Sequence, residues 1–413
     1  MVCSWNPSDT LTAVPGKNSL WETTVRTPKA SNKRYSIDFV CGNYSIAVSD
    51  IMTGEVWLAS GQSNMEFAFR DYDRSALDVA DEVANAANNE LRFFRVEHDY
   101  SRFPLENQSG RWEVCTSESA DKMSIIAYYF GKQIHQATGA PVGLIASYWG
   151  GSSVQAWMPG EVFCRDTVLK TLADKITPVN WCPTEPSALY NAMIFPFINY
   201  RIAGTIWYQG EANTEFPEDY GLLFGALIDG WRKVFGSDFP FYYVQIAPWN
   251  GYWQTSAALV REQQERCLAI PRTGMISVGD LVNDISDIHP RIKKEVGMRL
   301  VWSALAGHYG VTGLQTDFPA FESLRMAKGK AVVTVKSYGK LSCRGKEICG
   351  FQICGADRQF YPAAARVEKD GTITVSAKKV AQPVAVRYCF GEIIPNLFDA
   401  NGLPLLPFRT DQF

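Results

Sequence analysis

The hydrophobic rhythm of the chain changes twice. From residue 1 to 54 apolar and polar residues alternate. In Trp21-Glu-Thr-Thr-Val-Arg-Thr and Tyr35-Ser-Ile-Asp-Phe-Val, successive side chains belong to opposite faces, with Pro, Gly and Asn between the runs. That pattern predicts β-hairpins. Two or three strands are not stable alone, so these need partners from elsewhere in the chain. From 55 to about 310 the repeat lengthens. Apolar runs at 55–60, 91–97, 141–148, 203–209, 239–247 and 273–279 read as strands. Helical periodicity fills 124–135, 220–235, 256–268 and 291–309, the last opened by Pro290 and closed by Gly310. Strand–helix alternation implies a parallel sheet covered on both faces. From about 325 onward short strands return, such as Ala331-Val-Val-Thr-Val and Val384-Ala-Val-Arg-Tyr. Three segments follow, 1–54, 55–324 and 325–413. The outer two are expected to join into one accessory β-sandwich beside an α/β domain.

Composition narrows the function. Hydrophobic residues are 46% and charged residues 20% of 413, as in ordinary globular proteins. A net charge of −3 gives no basic field for nucleic acid. No apolar run is long enough to span a membrane. Met1-Val-Cys-Ser-Trp-Asn lacks the basic start and apolar core of a signal peptide, so a cytoplasmic or trimmed chain is expected. The ten cysteines contain no Cys-x-x-Cys pair and read mostly as buried reduced thiols. Twelve tryptophans and 18 tyrosines make the chain aromatic-rich, as carbohydrate-active proteins often are.

The chemistry gathers around Glu55-Val-Trp-Leu-Ala-Ser-Gly-Gln-Ser-Asn-Met-Glu66. Its apolar run breaks at Gly61, which places Ser63 at the carboxyl end of a strand, where open α/β sheets bind ligands. A helix cap is the plainer reading of that serine, and other residues decide between them. Of the four histidines, His135 and His308 sit in helical patterns and His98 follows a strand among polar residues. His289 follows a strand and precedes a helix, on the sheet edge that carries Ser63. Asp287 is the candidate acid beside it, with Asp284 as the fallback, since a histidine base needs an acid to fix its tautomer.

Two more loops reach that edge. The strand Gly143-Leu-Ile-Ala-Ser-Tyr-Trp ends in the paired glycines Gly150-Gly151, whose main-chain N–H groups can serve an oxyanion. Thr205-Ile-Trp-Tyr-Gln-Gly-Glu-Ala-Asn offers Gln209 or Asn213 as a side-chain donor, with Glu211 to orient either. The oxyanion set is therefore Ser63, Gly151 and Gln209 or Asn213. Gln62, Asn64, Trp149 and Glu211 are candidate substrate contacts. Trp149, Trp157, Tyr208 and Trp249 are candidate platforms for sugar faces. No Gly-x-Ser-x-Gly elbow, His-Glu-x-x-His motif or phosphate-cradling glycine loop occurs.

These blocks, with Pro186-Ser-Ala-Leu-Tyr-Asn-Ala-Met193 and Asp287-Ile-His-Pro290, resemble the sialate O-acetylesterase family of the SGNH hydrolase superfamily. The resemblance covers nearly the whole chain. It implies a flavodoxin-like three-layer α/β/α domain beside β-sandwich material, a serine nucleophile, and no metal or other cofactor. It implies an acetyl-enzyme route on O-acetylated carbohydrate, with sialic acid the first substrate and acetylated xylan or another plant glycan the second. No nucleic-acid or membrane partner is implied, and relatives act in the periplasm, outside the cell or in lysosomes. In the wider superfamily an Asp stands three residues before the His. Ser286 holds that position here, and Asp287, two before, takes the role. The third superfamily block is offset to Gly210-Glu-Ala-Asn213. A non-catalytic glycan-binding protein on the same fold is the rival reading.

Overall fold

The computed structural model describes residues 1–17, 19–72 and 79–413. Its centre is a seven-stranded sheet. Across the sheet the strands are Thr273–Ser277, Phe241–Gln245, Gly204–Tyr208, Glu55–Gly61, Val142–Tyr148, Asn88–Arg95 and Trp112–Cys115. Six run parallel, and Trp112–Cys115 is an antiparallel edge. The six parallel strands are those the apolar runs predict. The edge strand was not foreseen, because Trp-Glu-Val-Cys is too short to show an alternation.

Helices cover both faces. Trp57 on the central strand packs against Phe130 of helix Ile125–Thr138 and Tyr309 beyond helix Lys293–Gly307. Trp207, on the adjacent strand, packs against Phe224 and Trp231 of helix Tyr220–Val234. Trp57 is paired with Gly204, three residues before Trp207, so the two indoles point to opposite faces of the sheet. Both are fully buried. Each removes a large apolar surface from water and locks one helical layer to the sheet.

The outer segments do not merge as expected. Among the described residues, strands within residues 2–53 pair only with one another. The C-terminal strands, starting at Ala320, also pair only among themselves. The C-terminal strands have a core of their own, whereas the N-terminal sheet is largely exposed. Ala331, Val333, Ile373 and Val375 of one sheet meet Phe351, Ile353, Val386 and Tyr388 of another. The C-terminal unit is tied to the central domain by Arg261, which is 3% exposed and donates to Glu392 at 3.2 Å. Arg409 adds a bond to Glu262 at 2.8 Å. Glu392 also accepts the Trp249 N–H at 2.7 Å, so the C-terminal unit braces a loop at the carboxyl edge of the sheet.

Candidate active site

Ser63 owes its position to a strand that can turn only at glycine. Gly61 ends the central strand with φ of +139°, and a Cβ there would lie 2.1 Å from the Tyr208 carbonyl oxygen. Gln62 still donates its N–H to that carbonyl at 2.9 Å. Ser63 then opens the one-turn helix Ser63–Glu66. The first N–H groups of a helix lack an internal partner, and the Ser63 N–H makes no other bond among the described residues.

His289 reaches Ser63 from the loop after strand Thr273–Ser277. Its Nε2 lies 2.9 Å from Ser63 Oγ. Burial holds the imidazole below its usual pKa. The charge of Lys293 pushes the same way, Asp287 opposes, and Arg291 adds to the lowering. These surroundings favour the neutral ring over the imidazolium.

The acid is arranged differently from expectation. Asp287 Oδ1 accepts the main-chain N–H of His289 at 2.8 Å, and Oδ2 accepts from Arg291 Nε at 3.1 Å. Neither oxygen is bonded to the imidazole. The expectation treated the segment as extended, which would put residues 287 and 289 on one side. Instead the Asp287 N–H bonds the Asp284 carbonyl in a turn, and the carboxylate folds back on the backbone. Asp284 is exposed and accepts from Ser286 N–H and Oγ, and among the described residues it makes no bond to the imidazole either.

Gly150 lies directly against the serine, and Gly151 follows it toward Trp181. A Cβ on Gly150 would be 3.3 Å from Ser63 Cβ. Its N–H is held by Glu66 Oε2 at 2.7 Å, whereas the Gly151 N–H has no partner among the described residues. Gly151 has φ of +76°, and a Cβ there would meet Trp181 Nε1 at 2.4 Å. Gln209 does not fit as an oxyanion donor. It is fully buried, and its Nε2 already donates to Ser152 O and Asn213 Oδ1. Asn213 Nδ2 donates once, to Gln155 Oε1 at 3.0 Å.

Several proposed ligand contacts turn inward. Gln62, Asn64 and Glu211 are 3%, 1% and 6% exposed. Gln62 Oε1 accepts from Gly210 and Ala212 N–H, and Asn64 Nδ2 donates to Glu211 Oε1 at 2.6 Å. They brace loops rather than meet a ligand. Trp157 and Tyr208 are buried in the core and cannot stack on sugar. Trp149 remains at the surface of the site, stacked on His98 with ring centroids 4.2 Å apart. Trp249 Nε1 donates to the Ser286 carbonyl at 3.1 Å and so props the histidine loop.

Sequence reasoning missed Lys293, which is 2% exposed and donates to Asn64 Oδ1. It also missed the pair formed by His98 Nε2 and Glu66 Oε1 at 3.0 Å. A lysine at a predicted helix start carries no sign that it will be buried. Among the described residues no group of three or more His, Cys, Asp or Glu is placed to hold a metal ion. No helix among them is long and apolar enough to cross a membrane.

The family model described as carbohydrate esterase, sialic acid-specific acetylesterase, matches residues 53–305. The chain belongs to this family. Sialate O-acetylesterases of Pongo abelii and Homo sapiens are 30% and 29% identical to it, over 90% of this chain and 78% of theirs. The crystal structure of a carbohydrate acetylesterase from Xanthomonas citri is 34% identical. It covers 96% of this chain and 89% of its own, with a TM-score of 0.85. The protein is accordingly a carboxylic ester hydrolase of the carbohydrate acetylesterase kind. The family match opens just before the strand leading to Ser63 and extends past His289. Both residues that meet at 2.9 Å therefore lie inside this acetylesterase's family region.

Proposed function

We propose that the protein is a serine acetylesterase that removes O-acetyl groups from carbohydrate through an acetyl-enzyme. The observation that carries this reading is the 2.9 Å contact between His289 Nε2 and Ser63 Oγ. Ser63 Oγ attacks the acetyl carbonyl carbon while His289 takes its proton. The oxyanion is met by the Ser63 and Gly151 N–H groups, preorganised where charge develops. His289 then gives its proton to the departing sugar oxygen. Water, activated by the same imidazole, releases acetate and restores Ser63. Asp287 serves by shaping the histidine turn and by adding negative charge near the ring.

The fold reading goes with this chemistry. We take the helix-covered sheet as an SGNH, flavodoxin-like three-layer domain, with the nucleophile after its central strand. The sheets before and after it are accessory β units. O-acetylated sialic acid is the first substrate proposed, since the curated relatives carry that name. Acetylated xylan is the second. A periplasmic or extracellular setting suits either.

The deciding experiment measures acetate released from O-acetylsialic acids and from acetylated xylan, beside a chromogenic acetyl ester. Release from the sialic acids above xylan is expected, with turnover unaffected by chelator. No hydrolysis of any of the three would defeat the enzymatic reading in favour of glycan binding. Loss in chelator restored by a divalent metal would defeat the metal-free route.

A further inference from the structure

Lys293 is the first residue of helix Lys293–Gly307, yet only 2% of it is exposed. Lysine is almost never buried that far without a partner. Its Nζ donates to Oδ1 of Asn64, itself 1% exposed. The same amide's Nδ2 donates to Glu211 Oε1 at 2.6 Å and to the Ile288 carbonyl at 3.1 Å. The orientation of the amide follows, because an ammonium can only donate and a carbonyl can only accept. The ammonium also lies 5.7 Å from the ring centroids of Phe67 and Tyr208, within cation–π range. Asn64 directly follows Ser63, and Ile288 directly precedes His289. One buried amide thus joins the two loops whose spacing decides whether Oγ and Nε2 meet.

We infer that Lys293 is a positioning residue for ester hydrolysis, setting the Ser63–His289 spacing through Asn64, with Glu211 as its buried counter-group. This rests on the reading of Ser63 and His289 as nucleophile and base. Burial makes the arrangement electrostatically tense. It draws Lys293 down to about 7, against the pull of Glu211, and it raises Glu211. The charged groups facing His289 are Lys293 and Arg291, which disfavour its protonation, and Asp287, which favours it. Removing the Lys293 charge therefore makes the imidazole easier to protonate.

The test is Lys293→Met, assayed on a chromogenic acetyl ester across pH. We expect kcat to fall about 10- to 100-fold, the range for a sub-ångström to ångström misplacement, with KM within about threefold. The acidic limb of kcat should move to higher pH, which a packing role alone would not produce. Adding Asn64→Ala should cost little more, because both residues act through one amide. Should Lys293→Met fail to fold, the Glu211→Gln/Lys293→Met pair removes both charges, and the same fall in kcat at near-constant KM is expected. Wild-type kcat and limb in a folded variant, or fully additive losses with Asn64→Ala, would overturn the inference. Ser63→Ala separates the two readings. If it retains turnover, the nucleophile assignment itself fails. If it is inactive while Lys293→Met behaves as wild type, only the role of Lys293 fails.

Discussion

Asp287 is joined to His289 through the main chain and not through the imidazole. Its Oδ1 accepts the His289 N–H at 2.8 Å, and its Oδ2 is taken by Arg291. The consequence for catalysis is measurable. An acid bonded to the base's ring costs about 10⁴-fold in kcat when made an amide, because the wrong tautomer results. Here an amide oxygen in Asp287→Asn still accepts the backbone N–H. What is lost is the carboxylate's charge near the ring and a partly exposed ion pair with Arg291, the pair worth at most about 1 kcal/mol. Asp287→Asn should therefore lose no more than about 10-fold in kcat. His289→Ala and Ser63→Ala should lose at least about 10³-fold. Steady-state kinetics on folded variants decide. A loss in Asp287→Asn equal to that in His289→Ala would mean the carboxylate reaches the ring during turnover.

The pH profile follows from the surroundings of His289. Burial and the neighbouring Lys293 lower its pKa from the usual 6.5. In the proposed reaction the neutral imidazole is the active form, so activity is expected to rise with pH through that pKa and hold above it. The ascending limb of kcat/KM should have its midpoint below 6.5, and His98→Asn should not move it. A midpoint above 7 in the wild type would contradict the electrostatics of the site.

The layered sheet was legible because its six parallel strands are continuous apolar runs bounded by glycine and proline. That Ser63 and His289 would meet at one sheet edge was legible because each sits where such a run or turn ends. The expected Asp287–imidazole contact is not made for a local reason: Asp284-Ile-Ser-Asp287 forms a turn, and two-residue spacing means little outside extended backbone. Gln209 was misjudged for a non-local one. Its amide is consumed by Ser152 and Asn213, partners supplied by tertiary packing. Lys293 was invisible because burial of a helix-start lysine depends on Asn64 and Glu211, which lie 229 residues and 82 residues earlier in the chain (293 − 64 and 293 − 211).

Glu66 links the glycine turn to a titrating group. It accepts the Gly150 N–H and pairs with His98, whose pKa it raises above 6.5. A histidine raised on folding stabilises the protein fully below its unfolded pKa, and that contribution fades as pH rises through the folded value. Glu66→Gln should therefore lower Tm more at pH 5.5 than at pH 8.5. The effect should be modest, since both side chains are partly exposed. Thermal melts of the two proteins at the two pH values check this. A Tm gap that widens with pH would reverse the assigned coupling.

Gly61 offers the sharpest test of how the fold presents Ser63, the proposed nucleophile. At φ of +139° it occupies backbone space that is nearly closed to other residues, and an added Cβ would sit 2.1 Å from the Tyr208 carbonyl oxygen. That oxygen belongs to a central strand and also accepts the Gln62 N–H, so it cannot move aside cheaply. Gly61→Ala must shift the chain at Gln62 and Ser63. We expect a loss of about 1–3 kcal/mol in stability from the backbone alone. We expect kcat to fall at least about 10²-fold, because displacement of the attacking oxygen by about an ångström costs that much. Gly139→Ala is the control. That glycine also has positive φ, +68°, but nothing lies within 4 Å of its would-be Cβ, and it caps helix Ile125–Thr138 at its far end from the serine. It should cost about 1 kcal/mol of stability and leave kcat unchanged. Chemical denaturation and kcat measured on both variants separate the effects. A Gly61→Ala protein with wild-type kcat would mean that the turn does not govern where Ser63 stands.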